Sequence, residues 1–119
     1  MKSVVVLTAD PTLVDDIART LSPDIEVLSG RDPVSLVRFV RPRNQYVAFV
    51  DLEMPDHAIR TLSLMLRKST AHVRVIGLRR RFDVYRDSML LSQGWVDRIV
   101  TDIGNRETLR KLGLLPPTR

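Results

Sequence analysis

The chain has 119 residues, 44% of them hydrophobic, which is the length of one ordinary domain. A chain of this length buries about two thirds of its unfolded surface without needing disulfide bonds or metals. Cysteine is absent, which excludes disulfides, thiolate metal sites and a cysteine nucleophile, and the two histidines are too few for a histidine-rich metal cluster. The N-terminal apolar run is too short for a signal peptide or a membrane span, so we expect a cytoplasmic protein.

The chain is basic. Nineteen Lys and Arg residues against 14 Asp and Glu give a formal net charge of +5, and 16 of the 19 are arginine. A pI of about 10.4 is typical of nucleic-acid-binding domains. The arginines are spread along the whole sequence, however, and aromatic residues are only 5% of the total. Charge alone therefore does not identify a nucleic-acid partner.

Short apolar strands alternate with amphipathic helices along the chain, which predicts a parallel sheet covered on both faces. The predicted strands span residues 4–7, 25–28, 46–50, 73–78 and 95–100. The predicted helices span residues 11–21, 33–41, 59–66, 84–91 and 106–112. Asp10-Pro11 and Asp32-Pro33 each combine an N-capping carboxylate with a proline at the first helical position.

Five strands and five helices in alternation predict one α/β domain over residues 1–119, a doubly wound sheet of the flavodoxin-like kind. Ligands of such folds bind beyond the carboxyl ends of the strands. The candidate functional positions are therefore the residues that follow the strands. Among them, Asp51 directly follows the most apolar strand and presents a carboxylate at that edge. A capping or turn role for Asp51 is the alternative.

Residues 46–55 contain the most specific motif, an apolar strand followed by Asp51-Leu52-Glu53-Met54-Pro55. This segment resembles the central motif of response-regulator receiver domains, and the order of the elements resembles that family over nearly the whole chain. Gly94 also matches a glycine that the family places before its fifth strand. The resemblance implies a CheY-like fold, with Asp51 equivalent to the aspartate that accepts a phosphoryl group from a histidine kinase.

The other functional positions of the family are changed in this chain. Thr8 and Ala9 occupy the places of two acidic Mg²⁺ ligands, and only a shift of one residue would supply a single carboxylate, Asp10. Arg79 replaces a Ser or Thr after the fourth strand, and Thr101 replaces a Lys after the fifth. Because Mg²⁺ prefers several carboxylate oxygens, we expect weak or absent Mg²⁺ binding and no cofactor. The resemblance thus implies an atypical receiver, or pseudo-receiver.

The first functional interpretation is a phosphorylation-independent signalling module that binds a protein partner or a second copy of the chain. Receivers commonly do so through the fourth helix, fifth strand and fifth helix. The candidate interface residues on that face are Val84, Tyr85, Met89, Trp95, Val96 and Arg98. A short last helix is expected to leave the sheet flank thinly covered, and exposed apolar area marks interfaces. The alternative places Met89 and Trp95 in the core.

A basic segment follows the fourth strand, beside the position of Asp51. Arg79 or Arg80 is predicted to pair with Asp51 and hold one conformation permanently. The alternative is a solvated basic loop.

Three other functions stay open at this point. A degenerate receiver could still be phosphorylated at Asp51 in a phosphorelay, with Arg79 partly replacing the charge of the metal. A nucleic-acid-binding protein would use the arginines at 38, 41, 43 and 79–81, with steep salt dependence. Enzymatic activity is not expected, because no Gly-rich phosphate loop follows the first strand and His57 resembles an ordinary surface histidine.

Overall fold

The structure, a computed structural model, describes residues 2–21, 23–41, 45–70, 72–79, 81, 83–101 and 106–114. The strands are β1 (Lys2–Leu7), β2 (Glu26–Gly30), β3 (Gln45–Asp51), β4 (Val73–Leu78) and β5 (Arg98–Val100). The helices are α1 (Pro11–Thr20), α2 (Pro33–Val37), α3 (Asp56–Ser69), α4 (Val84–Ser92) and α5 (Arg106–Lys111).

The five strands form one parallel sheet in the order β2-β1-β3-β4-β5. Leu7 pairs with Val50, and Asp51 pairs with Leu78, so β1, β3 and β4 end side by side. We call this side of the sheet the carboxyl edge and the opposite side the amino edge. The order reverses at β1, as the predicted doubly wound, flavodoxin-like fold requires, and that prediction is confirmed.

The sheet separates two apolar layers, because successive side chains of a strand point to opposite faces. One layer joins Ala48 and Val50 of β3 to buried residues of α2, α3 and α4. The other joins Val47 and Phe49 to buried residues of α1 and α5. Since both faces are covered, the central strands are continuous apolar runs rather than alternating ones.

Carboxylate caps fix the starts of the first two helices, as the sequence predicts. Asp10 accepts a hydrogen bond from the Thr12 N–H at 2.9 Å. Asp32 accepts one from the Ser35 hydroxyl at 2.7 Å and another from the Val34 N–H at 3.1 Å. Because the Ser35 and Val34 bonds favour the ionised form, they hold the pKa of the Asp32 carboxyl below its ordinary value.

The largest differences from the predicted boundaries are in the second helix, the third helix and the fifth strand. The third helix runs Asp56–Ser69, three residues beyond the predicted range at each end. The second helix ends at Val37, four residues early, where the chain passes into turns. The fifth strand begins at Arg98 rather than residue 95, because the Trp95 and Val96 amides donate to the Leu90 carbonyl and close α4 instead. The last helix is short, as predicted, and α5 with the residues after it buries three leucines: Leu109, Leu112 and Leu114.

Gly94 makes this ending of α4 possible. It has a φ of 76°, a conformation that side chains disfavour, and its N–H donates to the Leu91 carbonyl at 3.1 Å. Together with the Trp95–Leu90 bond, this is the Schellman arrangement that terminates many helices.

Candidate functional site at the carboxyl edge

Asp51 lies at the centre of the carboxyl edge as the last residue of β3, with 3% of its surface exposed. The Thr8 hydroxyl donates a hydrogen bond of 2.6 Å to Oδ2 of Asp51. The Glu53 N–H donates one of 3.0 Å to Oδ1. Both carboxylate oxygens are therefore engaged by groups of the chain itself, as a buried carboxylate requires.

Strand register brings Thr8 to Asp51. Since Leu7 pairs with Val50, the residues that follow them, Thr8 and Asp51, leave the sheet next to each other. Thr8 is itself buried, and its oxygen accepts the Asp10 N–H at 3.0 Å. A neutral hydroxyl is thus hydrogen-bonded to the carboxylate, at the position where the receiver resemblance places a metal ligand.

Ala9 and Asp10, which follow Thr8 in the loop after β1, differ from it in their side-chain contacts. Ala9 is exposed and has no polar side chain. Asp10 uses Oδ1 to cap α1. Within the described part of the chain, no three His, Asp or Glu side chains are grouped so that they could hold a metal ion.

The basic segment after β4 is tied to α4. Arg79 donates from Nη1 to the Asp87 carboxylate, and its main-chain N–H donates to the Val100 carbonyl at 3.0 Å. Arg81 lies 3.8 Å from Glu53, at an exposed position. Arg80 is outside the described residues, so the pairing of Asp51 with Arg79 or Arg80 stays a prediction.

Arg86 makes the most extensive contact near the site, and the sequence analysis missed it. From α4, its guanidinium donates to the main-chain carbonyls of Leu52 and Met54, the latter at 2.9 Å. It also binds one carboxylate oxygen of Asp56 at 2.8 and 3.0 Å. One side chain therefore fastens α4 to the loop that directly follows Asp51. No local pattern signals this contact, since its partners lie 30 to 34 residues earlier.

Gly77 of β4 makes room for the same loop. A Cβ atom at this position would lie 3.1 Å from Cδ2 of Leu52 and 3.3 Å from Cγ1 of Ile99, closer than ordinary contacts. The missing side chain lets Leu52 pack over β4 immediately after Asp51.

The predicted interface residues divide into exposed and buried groups. Val84 and Tyr85 of α4 are 56% and 86% exposed. Leu91, which the sequence analysis did not single out, is 44% exposed. We call these three residues the α4 face. Arg98 on β5 is also exposed.

The remaining predicted interface residues contribute to the core. Met89 and Trp95 are half-buried and pack against the core layer that contains α3 and α4. The structure corrects the predicted exposure of Val96, which is 1% exposed and belongs to the same layer. The capping turn after α4 directs Val96 inward, so its side chain is not available to a partner.

The residues on which the alternative functions would depend lie at separate places on the surface. Thr101, His57, Arg38 and Arg41 are exposed, and Arg43 lies outside the described residues. His57 lies in the first turn of α3, where its main-chain carbonyl accepts the Thr61 hydroxyl at 2.7 Å. No helix in the described ranges is long and apolar enough to cross a membrane.

Comparison with known proteins shows similarity in structure but not in sequence. No family model and no curated protein matches the chain. A receiver protein from Pseudoalteromonas atlantica superposes with a TM-score of 0.62 at 11% identity, over 92% of this chain and 90% of that one. The response regulator LqsR of Legionella pneumophila gives 0.66 at 11%, over 95% of this chain but only 43% of LqsR. The chain has the fold of response-regulator receiver domains.

A third similar structure is named as an adenylate cyclase rather than a response regulator. The adenylate cyclase structure from Rhodopirellula baltica has a TM-score of 0.70 and 18% identity, and the match covers 93% of this chain and 82% of that one. At such identities the similarity concerns the fold. In the receiver fold, Asp51 is the residue that closes the third strand, as the sequence resemblance implied.

Proposed function

We propose that this chain is an atypical receiver domain that acts as a phosphorylation-independent module for protein interaction. The observation that supports this proposal is the 2.6 Å bond from the Thr8 hydroxyl to Asp51. Phosphoryl transfer to an aspartate relies on a cation that neutralises charge on the moving group. A threonine and an alanine in place of two acidic residues give such a cation few ligands.

The output of such a module comes from its surface, and the α4 face is the proposed contact region. In a typical switch, a signal changes the position of the responding element. Here α4 is fastened to the loop after Asp51 by Arg86, and to the β4–α4 segment by the Arg79–Asp87 pair. The apolar side chains of Val84, Tyr85 and Leu91 are therefore presented without a phosphorylation event, to a protein partner or a second copy.

Two other functions receive less support from the contacts. The arginines proposed for nucleic-acid binding after β4 are partly neutralised, since Arg79 pairs with Asp87 and Arg81 lies near Glu53. For catalysis, the similarity to an adenylate cyclase structure extends to the fold alone, so we propose no enzymatic activity. A phosphorylatable Asp51 is the remaining alternative, because the carboxylate is kept at the end of β3.

An amide NMR titration with Mg²⁺ and then beryllofluoride, which mimics a phosphoryl group on aspartate, tests the proposal. We expect no saturable shifts near residues 51, 79 and 101 of the natural chain. A Thr8→Asp/Ala9→Asp variant restores the acidic pair and serves as the positive control for the assay. Saturable shifts in the natural chain that disappear in Asp51→Asn would establish the phosphorylatable alternative and overturn our proposal.

A further inference from the structure

A cleft opens at the amino edge of the sheet, on the side away from Asp51. It has a volume of about 430 Å³ and lies between the starts of β3 and β4 and the end of α5. Its polar lining comes from all three segments: Gln45, His72, Arg74 and Lys111. The function proposed above does not involve this cleft.

The sheet geometry places two of these side chains on one face. Gln45 and Val47 alternate with Tyr46 along β3, and Val47 packs with Phe49 in the layer beneath α5. Arg74 is the register partner of Val47 in β4. The side chains of Gln45 and Arg74 therefore leave the same face, toward the end of α5 where Lys111 lies.

Three polar side chains of the cleft are available to bind a ligand. In the segments that the structure describes, the side chains of Gln45, His72 and Arg74 form no hydrogen bond or ion pair. Within the described residues, some arginines, such as Arg67 and Arg86, are paired with carboxylates, whereas exposed ones such as Arg98 are not. The guanidinium of Arg74 thus differs from the paired ones in keeping its donors unused.

The charge of the cleft is positive. Arg74 and Lys111 each contribute a full charge. Glu107 is 3.5 Å from Lys111, but both side chains are more than 60% exposed. Exposed pairs of this kind are weak, so the Lys111 ammonium stays available to a ligand.

We propose that this cleft binds the phosphate group of a small phosphorylated molecule. The planar fork of Arg74 matches two oxygens of a phosphate, and Lys111 and His72 supply further donors. The volume is within the range of small-molecule sites, and it leaves room for more than the phosphate itself. The Gln45 amide provides a neutral donor and acceptor for that remaining part.

The test is an amide NMR titration of the full chain with adenosine monophosphate, inorganic phosphate and adenosine. The first two contain the phosphate that we expect the cleft to recognise, and adenosine is the matched ligand without it. Arg74→Gln removes the proposed fork. Arg98→Gln is the matched control, since it removes the same charge from an exposed position on the neighbouring strand.

We expect saturable shifts at residues 45–47, 72–74 and 111–113 with both phosphates and none with adenosine. Arg74→Gln should weaken binding by at least about tenfold, as expected for loss of a charged hydrogen bond, and Arg98→Gln should leave it unchanged. Three results would each overturn the proposal: no saturable shifts, equal shifts with adenosine, or equal weakening by both variants. None of them depends on the state of Asp51, which lies at the other edge.

Discussion

The bond between Thr8 and Asp51 joins two buried residues of different strands. A carboxylate held away from water needs donors, and losing one is expensive because water cannot replace it. Thr8 supplies that donor from within the chain. At the scale of the residue, this hydroxyl therefore stabilises the buried carboxylate of Asp51.

Replacing Thr8 with valine keeps the shape of the side chain and removes its hydroxyl. We expect the free energy of unfolding to fall by about 1–3 kcal/mol, because Oδ2 of Asp51 loses this donor while still buried. Urea unfolding followed by circular dichroism measures the change.

The control for that variant is Thr61→Val on α3. The Thr61 hydroxyl bonds only the carbonyl one turn earlier, at a partly exposed position, so its loss should change stability by less than about 0.5 kcal/mol. Equal effects of the two substitutions would contradict a special role for the Thr8–Asp51 bond.

At the scale of the element, the contacts of two arginines hold α4 in place. Arg86 donates to carbonyls of the loop after Asp51. The neighbouring residue, Asp87, accepts a hydrogen bond from Arg79 at the end of β4. These side chains are largely shielded, which makes their charged hydrogen bonds stronger than exposed pairs. The helix should therefore be held firmly against the loop.

Replacing Arg86 with methionine should release α4 from the loop. We expect amide hydrogen exchange in residues 52–56 and 84–92 to become at least about tenfold faster, since the variant loses several charge-assisted bonds. Mass spectrometry of exchanged peptides provides the measurement.

Arg60→Met is the matched control for the α4 contact, because Arg60 is exposed on α3. Its exchange pattern should match that of the natural chain. Unchanged exchange in Arg86→Met as well would show that packing of the apolar side chains positions α4 without Arg86.

At the scale of the whole molecule, the described residues include a few large apolar side chains on the surface. The α4 face groups three of them, whereas Leu64 on α3 is exposed on a different helix. Single exposed apolar residues are common, but a group on one helix is typical of a contact surface. The net charge of +5 acts against association of copies at low salt.

We expect the chain to self-associate at raised concentration and physiological salt through the α4 face. A Val84→Ser/Tyr85→Ser variant should lower the association constant by about tenfold or more, because it removes apolar area from the contact. Leu64→Ser, which removes a similar apolar group elsewhere, should leave it unchanged. Sedimentation velocity distinguishes these cases, and a natural chain that stays monomeric would exclude the second copy and leave a partner protein as the occupant.

The sequence alone determined the elements and their order. Apolar runs, helical spacing and the Asp-Pro caps act over a few residues, so they predicted each strand and helix that the structure describes and placed Asp51 at the end of β3. The misplaced start of β5 has a local cause too. The Trp95 and Val96 amides had an alternative acceptor in Leu90, and no apolar pattern distinguishes a strand from a capping turn.

Only the tertiary structure decided which side chains meet. Thr8 and Asp51 are 43 residues apart and bond because parallel register aligns the ends of β1 and β3. Arg86 reaches carbonyls more than 30 residues earlier, and Gln45 and Arg74 share a cleft through the pairing of β3 with β4. Local patterns fix where a strand is, whereas contacts between strands depend on register and on the length of each side chain, which no stretch of a few residues encodes.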